Sequence, residues 1–221
     1  MRGCRHQIGE KNGNNRTSRC FFRNFKVKAG PLCPRGIEWN NLQRCNVDDV
    51  RAEGDVNCHP SFAAHRMGGE MYTNTFNGLR AERNGAGLNP ANGFGLHMGN
   101  ERVGFNSLYA RCNANTFYGF HSSNLGIGIH LNGDASGSIF HNPTTEGGSG
   151  YGIRVLGGFN NTFYDHWNEN FSAEAFLFGQ ATRDVLGTVP VESFDRDVDA
   201  PFGTIGPVCG RDGGRFFHRH T

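Results

Sequence analysis

The sequence predicts an all-β chain wound as a parallel β-helix, a solenoid of short strands. Three observations carry that expectation. First, two short phrases alternate along the 221 residues and keep their order. Second, each phrase returns after roughly 22 to 33 residues, the spacing of solenoid repeats. Third, apolar alternation lasts only about four to six residues before Gly, Asn or Asp breaks it, and no amphipathic run reaches helical length.

The elements follow in chain order. Residues 1–23 have no apolar stretch and read as an irregular N-terminal segment. Residues 24–180 carry the repeat. One phrase sets a small polar residue before an apolar one: "NFKV" at 24, "CNV" at 45, "NTF" at 74, "NSL" at 106, "GSIF" at 137 and "NTF" at 161. The other is a glycine-rich strand: "RGIE" at 35, "FAAH" at 62, "FGLH" at 94, "IGIH" at 127, "YGIR" at 151 and a weaker "EAFLF" at 174. Residues 181–221 lose the pattern and read as an irregular C-terminal segment. The ragged ends read as those of a piece of a longer solenoid, whose coils need polar caps.

Composition supports this reading. The 33 Gly, with abundant Asn, supply the positive-φ residues that frequent tight turns require. The 19 Phe supply a core. A net charge of +2 calls for neither nucleic acid nor a membrane surface. No CxxC pair occurs among the seven Cys, and a zinc site from Cys33, Cys45, Cys58 and His59 matches no closed spacing.

The phrases "NTF", "GIGIH", "GYGIRVLGG" and "NNTFYD" resemble the right-handed parallel β-helix repeats of the pectin-lyase-like superfamily, over about residues 24–180. The stretch "NNTFYDHWNEN" at 160–170 is most similar to lyase-type and tailspike-type members. The resemblance implies a right-handed solenoid of about six coils, a polysaccharide partner, an extracellular or virion-associated setting and, for tailspike-type relatives, a homotrimer. It implies no specific reaction, because the repeat is scaffold and the paired-aspartate pattern of polygalacturonases is absent.

Aligning the glycine-rich strands puts Ile37, Ala64, Leu96, Ile129 and Ile153 inward. Glu38, His65, His97, His130 and Arg154 then form an outward column on consecutive rungs. Gly95, Gly128 and Gly152 are expected to open a shallow groove on that face. An acid follows each histidine: Glu70, Glu101 and Asp134.

Two chemistries fit such a column. A uronate lyase or epimerase would use Arg154 to pair with the carboxylate and His97 or His130 as base. A glycoside hydrolase would use Glu101 and Asp134 as its carboxylate pair. Glu38 and His65 would contact substrate. No cofactor is expected, although His65, His97 and His130 with the nearby acids allow a divalent cation. The competing reading is a plain solvated sheet face on a non-enzymatic structural or adhesive solenoid.

The other phrase aligns Lys26, Asp48, Asn77, Tyr109, Phe140 and Tyr164. Its aromatic members either stack on sugar rings or pack beneath a neighbouring loop. Asp165, His166, Trp167 and Glu169 cluster just beyond Tyr164, with Asp165 and Trp167 as candidate sugar contacts.

Overall fold

The computed structural model describes residues 6–8, 17–84, 93–99, 111–158, 160–169, 176–178 and 185–186. Those residues are all-β, and every strand pairing among them is parallel. Each strand pairs with its counterpart one circuit later, giving curled sheets of solenoid type. Glu101 and Tyr109 lie outside the described residues.

One sheet runs through His6–Ile8, Arg35–Asn40, Ala63–Gly68, Phe94–Met98, Ile127–Leu131, Ile153–Val155 and Phe176–Phe178. A second, of two- and three-residue strands, runs through Thr17–Ser18, Leu42–Gln43, Met71–Tyr72, Arg111–Asn113 and Asp134–Ser136. The third divides in two. The first half of Asn46–Gly54 leads to Thr75–Asn77, Thr116–Tyr118, Ile139–His141, Thr162–Tyr164 and Val185–Leu186. Its second half leads to Arg80–Arg83, His121–Ser123, Thr144–Glu146 and Trp167–Glu169. On its other edge, Phe21–Ala29 pairs along its whole length. Among the described residues, strand pairing therefore runs from His6 to Leu186.

The "NTF" phrase builds the core. Phe76, Phe117, Phe140 and Phe163 are fully buried and stack with centroids 4.8, 4.5 and 4.7 Å apart. That spacing is the repeat between hydrogen-bonded strands, so the rings ride on the ladder itself. Trp39 closes the stack from below, edge-on to Phe76 at 5.9 Å, with Phe22 and Phe25 beneath it. Phe140, expected on the outer face, is in this core. The period-2 rule puts it inward once Ile139 and His141 face outward.

The polar residue of the same phrase has its own ladder. Buried Asn74 accepts from Cys45 N at 2.9 Å and donates to Leu42 O at 2.9 Å. Its amide also donates to Asn115 Oδ1 at 2.9 Å, and Asn115 donates onward to Met71 O. Asn161 repeats the pattern two coils later, between Ser138 N and Ala135 O. These amides satisfy corner backbone groups that no strand pairs, which explains a polar residue at a buried repeat position.

The corners explain the Gly and Asn content. Asp49, Gly78, Gly119, Asn142 and Asp165 all have φ between 46° and 66°, and they turn the third sheet between its halves. Asp and Asn tolerate this left-handed conformation better than other side chains do.

Candidate functional site

The glycine-rich strands do form a column in the order expected, with one shift of register. Ile37 pairs with His65 and His65 with Leu96, so His65 occupies the inward position and Arg66 the outward one. The outward column is Glu38, Arg66, His97, His130 and Arg154. "FAAHRMG" offers a titratable or basic side chain at two adjacent positions, and only the pairing register decides between them.

His65 is accordingly a core residue. Trp39 Nε1 donates to its Nδ1 at 3.3 Å, and its Nε2 lies 2.9 Å from the Arg80 carbonyl. Since an indole nitrogen only donates and a carbonyl only accepts, both contacts require a neutral ring protonated on Nε2. Burial lowers its pKa to about 4, opposed by the Arg80 carbonyl.

The outward column is not open to solvent. Glu38, Arg66, His97 and His130 are all buried, and Arg154 is half-buried. Phe94 is the centre of a small apolar cluster with Ala63, Ile127 and Tyr151 on this side of the sheet. Its ring lies 4.7 Å from His97 and 5.2 Å from His130, and the Arg154 guanidinium lies over it at 5.8 Å. His97 and His130 are 4.8 Å apart. Arg35 holds Glu38 at 2.8 Å, and Arg66 caps the carbonyls of Met67 at 2.7 Å and Gly99 at 2.6 Å.

This environment keeps both imidazoles neutral. His130 Nδ1 lies 3.2 Å from Arg154 Nε, which can only donate to it, and 3.3 Å from the Arg154 carbonyl, which can only accept from it. Burial first, then the Arg154 charge, lowers His130 to about 4. Burial, then Arg66 and His130, lowers His97 further still. A general base needs reach to its substrate as well as a suitable pKa. Both rings are covered in this arrangement.

The glycines do not line a groove. A Cβ on Gly95 would stand 2.3 Å from Ser122 Oγ, and one on Gly128 would stand 2.3 Å from Thr145 Cγ2. Gly36 likewise meets Ala52. Gly36, Gly95 and Gly128 face inward, against Ala52, Ser122 and Thr145 of the third sheet. Glycine is required because the facing sheets approach too closely for a side chain on both.

Asp134 begins a strand of the second sheet, beyond the corner at Gly133. Among the described residues no group of three or more His, Cys, Asp or Glu is arranged to hold a metal ion. Cys33, Cys45 and Cys58 are buried thiols outside any disulfide.

The exposed aromatic column lies elsewhere. Outward from the phenylalanine stack stand Asn77, Tyr118, His141 and Tyr164, in register. Lys26 is absent from this row because it pairs with Arg51. Tyr118 and His141 stack at 4.8 Å, and His141 and Tyr164 at 5.2 Å, nearly parallel. Their faces are thus turned to one another, and they offer solvent their edges and polar atoms. The repeated "NTFY" at 115–118 and 161–164 is the signal that marks Tyr118 as the partner of Tyr164.

Across the corner held by Asp165, Trp167 is 41% exposed. Its Nε1 donates to Glu169 Oε2 at 3.4 Å, and no described ring stacks on its face. Glu146 lies in register with Glu169, and His121 reaches Glu146 at 3.3 Å. His166 turns inward, where Nε2 meets Thr145 Oγ1 at 2.8 Å and Thr145 donates to Asn168 Oδ1 at 2.8 Å.

No family model matches this chain, and no curated protein and no solved structure matches it at a significant level.

Proposed function

We propose that this chain is a glycan-binding parallel β-helix, of the right-handed kind its repeats resemble, with a polysaccharide as partner. The binding face is the outer surface of the third sheet around Tyr118, His141, Tyr164 and Trp167. The observation that carries the reading is the exposed indole of Trp167, whose face no described ring covers. An amphipathic ring of this kind stacks on the apolar face of a sugar while its N–H stays in hydrogen-bond contact. The stacked ladder beside it contributes a row of edge atoms at the strand spacing, suited to the hydroxyls of a linear polymer.

Binding without cleavage is the form of this reading we favour, because His97 and His130 are buried and held neutral. The test is affinity electrophoresis against a polysaccharide panel, with Trp167→Ala beside wild type. Products are assayed in parallel as unsaturated ends and new reducing ends. Retardation by at least one glycan that the variant loses, without products, supports the reading. Retardation unchanged in Trp167→Ala, or no retardation by any glycan, overturns it.

A further inference from the structure

The corner ladder that asparagine caps in the later coils carries sulfur in the early ones. Cys20, Cys45, Asn74, Asn115, Ser138 and Asn161 each stand just before a strand of the third sheet. Each also follows a left-handed corner residue, with φ between 51° and 62°: Arg19, Arg44, Thr73, Ala114, Gly137 and Asn160. The six positions are therefore equivalent. Cys45 performs the asparagine's task with sulfur. Its Sγ accepts from Cys20 N at 3.4 Å, as Asn74 Oδ1 accepts from Cys45 N. Its S–H faces the carbonyls of Thr17 and Gln43, each at 3.5 Å. A thiol is a weak donor and a weak acceptor, so an amide would cap this corner better. Two thiols in succession have one capability that two amides lack, which is to bond to each other.

The geometry of the pair suits that bond. Asn46 N donates to Cys20 O at 3.0 Å, and the next residues, Phe21 and Asn46, are in register. Cys20 and Cys45 thus occupy adjacent rungs, with Cα atoms about 4.8 Å apart, the spacing of paired strands. Disulfides accept Cα separations of roughly 4.4–6.8 Å. The two side chains already interact. Burial pushes the Cys45 thiol pKa up, and the adjoining Cys20 sulfur adds to that shift. Both thiols are free; Cys20 is partly exposed and Cys45 fully buried.

We propose that Cys20 and Cys45 form a redox-responsive dithiol site that takes a low-molecular-weight disulfide as oxidant, and whose oxidised form staples the coil of residues 17–29 to the coil that follows. The proposal is independent of the glycan-binding reading. The accessible Cys20 thiolate attacks one sulfur of the small disulfide. A mixed disulfide forms and one small thiolate leaves, taking up a proton. Cys45 then gives up its proton and attacks Cys20 Sγ, which closes the protein disulfide and expels the second small thiol. Two protein thiols are oxidised and one small disulfide is reduced to two thiols. The bond joins residues 25 apart in the chain. Closing a loop of that length restricts the unfolded chain and so favours the folded one.

The test equilibrates the folded full-length chain with oxidised and reduced glutathione over a series of ratios, followed by alkylation and trypsin. Cleavage after Arg19, Arg23, Arg44 and Arg51 releases Cys20–Arg23 and Cys45–Arg51 as separate peptides. Mass spectrometry should find these two joined at high oxidised ratios, and separate with one alkyl group each at high reduced ratios. The urea midpoint should rise on oxidation and return on reduction. Two variants should fold and lose the glutathione-dependent shift: Cys20→Ser, which leaves the buried thiol in place, and Cys45→Asn, which supplies the amide of the later coils. Absence of the joined peptides at every ratio, joining only in urea, or pairing of either cysteine with a different one overturns the proposal. So does a midpoint that stays fixed while the peptides join, or one that moves equally in Cys20→Ser.

Discussion

Acid should unfold this protein through its buried histidines, and the structure sets the scale. His65 accepts from Trp39 Nε1 on Nδ1 and meets the Arg80 carbonyl through Nε2. A proton added to Nδ1 would oppose the indole N–H. For His130, burial and the Arg154 guanidinium beside the ring oppose the added proton. The pKa of each falls from 6.5 to about 4 on folding. Below pH 6.5 the unfolded chain therefore takes up protons that the folded chain refuses until about pH 4. Stability is full above that window and is lost as pH falls through it. The difference amounts to about 3 kcal/mol per ring when complete, and to roughly 2 kcal/mol by pH 5. His166, lowered to about 3 by burial, and His97 act in the same direction. The four rings act in one direction, so acid removes a sizeable part of the stability of an ordinary domain. Urea unfolding followed by circular dichroism at a series of pH values from 7.5 to 5 measures this directly. A His65→Gln variant, whose amide can keep both hydrogen bonds without titrating, should reduce the pH slope by about one proton. Stability that stays flat across the range, or a slope unchanged by His65→Gln, would refute the reasoning.

Two further predictions concern the scaffold. Phe117→Ala removes a ring stacked at 4.8 Å on Phe76 and at 4.5 Å on Phe140; it should cost about 3–5 kcal/mol in urea unfolding, as large buried cavities do. Gly128→Ala should cost more than about 2 kcal/mol, or prevent folding, because its Cβ would stand 2.3 Å from Thr145 Cγ2 and 2.6 Å from the Gly152 carbonyl. A groove-lining glycine would tolerate the same change within about half a kcal/mol, so a near-neutral result would restore the outward orientation.

Much of the repeat could be read from the sequence, because a coil repeats its chemistry wherever it repeats its geometry. "NTF" recurs because a corner backbone needs an amide and the rung beneath it needs a phenyl ring. "GIGIH" recurs because one position must be small, its neighbour apolar and the next outward. The column through His97, His130 and Arg154 follows from that alignment alone.

What the sequence by itself determined, then, was the repeat, the all-β class and the part of one column that runs through His97, His130 and Arg154. Register and burial were decided only by the tertiary structure. A one-residue shift moves a side chain to the opposite face, so His65 and Arg66 exchange roles although both lie in the same phrase. The inward aim of Gly95 and Gly128 depends on Ser122 and Thr145, which come from a facing sheet and not from the neighbouring sequence. Whether an outward column meets water depends on what packs beyond it. His130 is buried beside Phe94 while Tyr118, equally outward on its own sheet, is exposed. Periodicity records which side of a strand a residue occupies; only the assembled coils determine what that side faces.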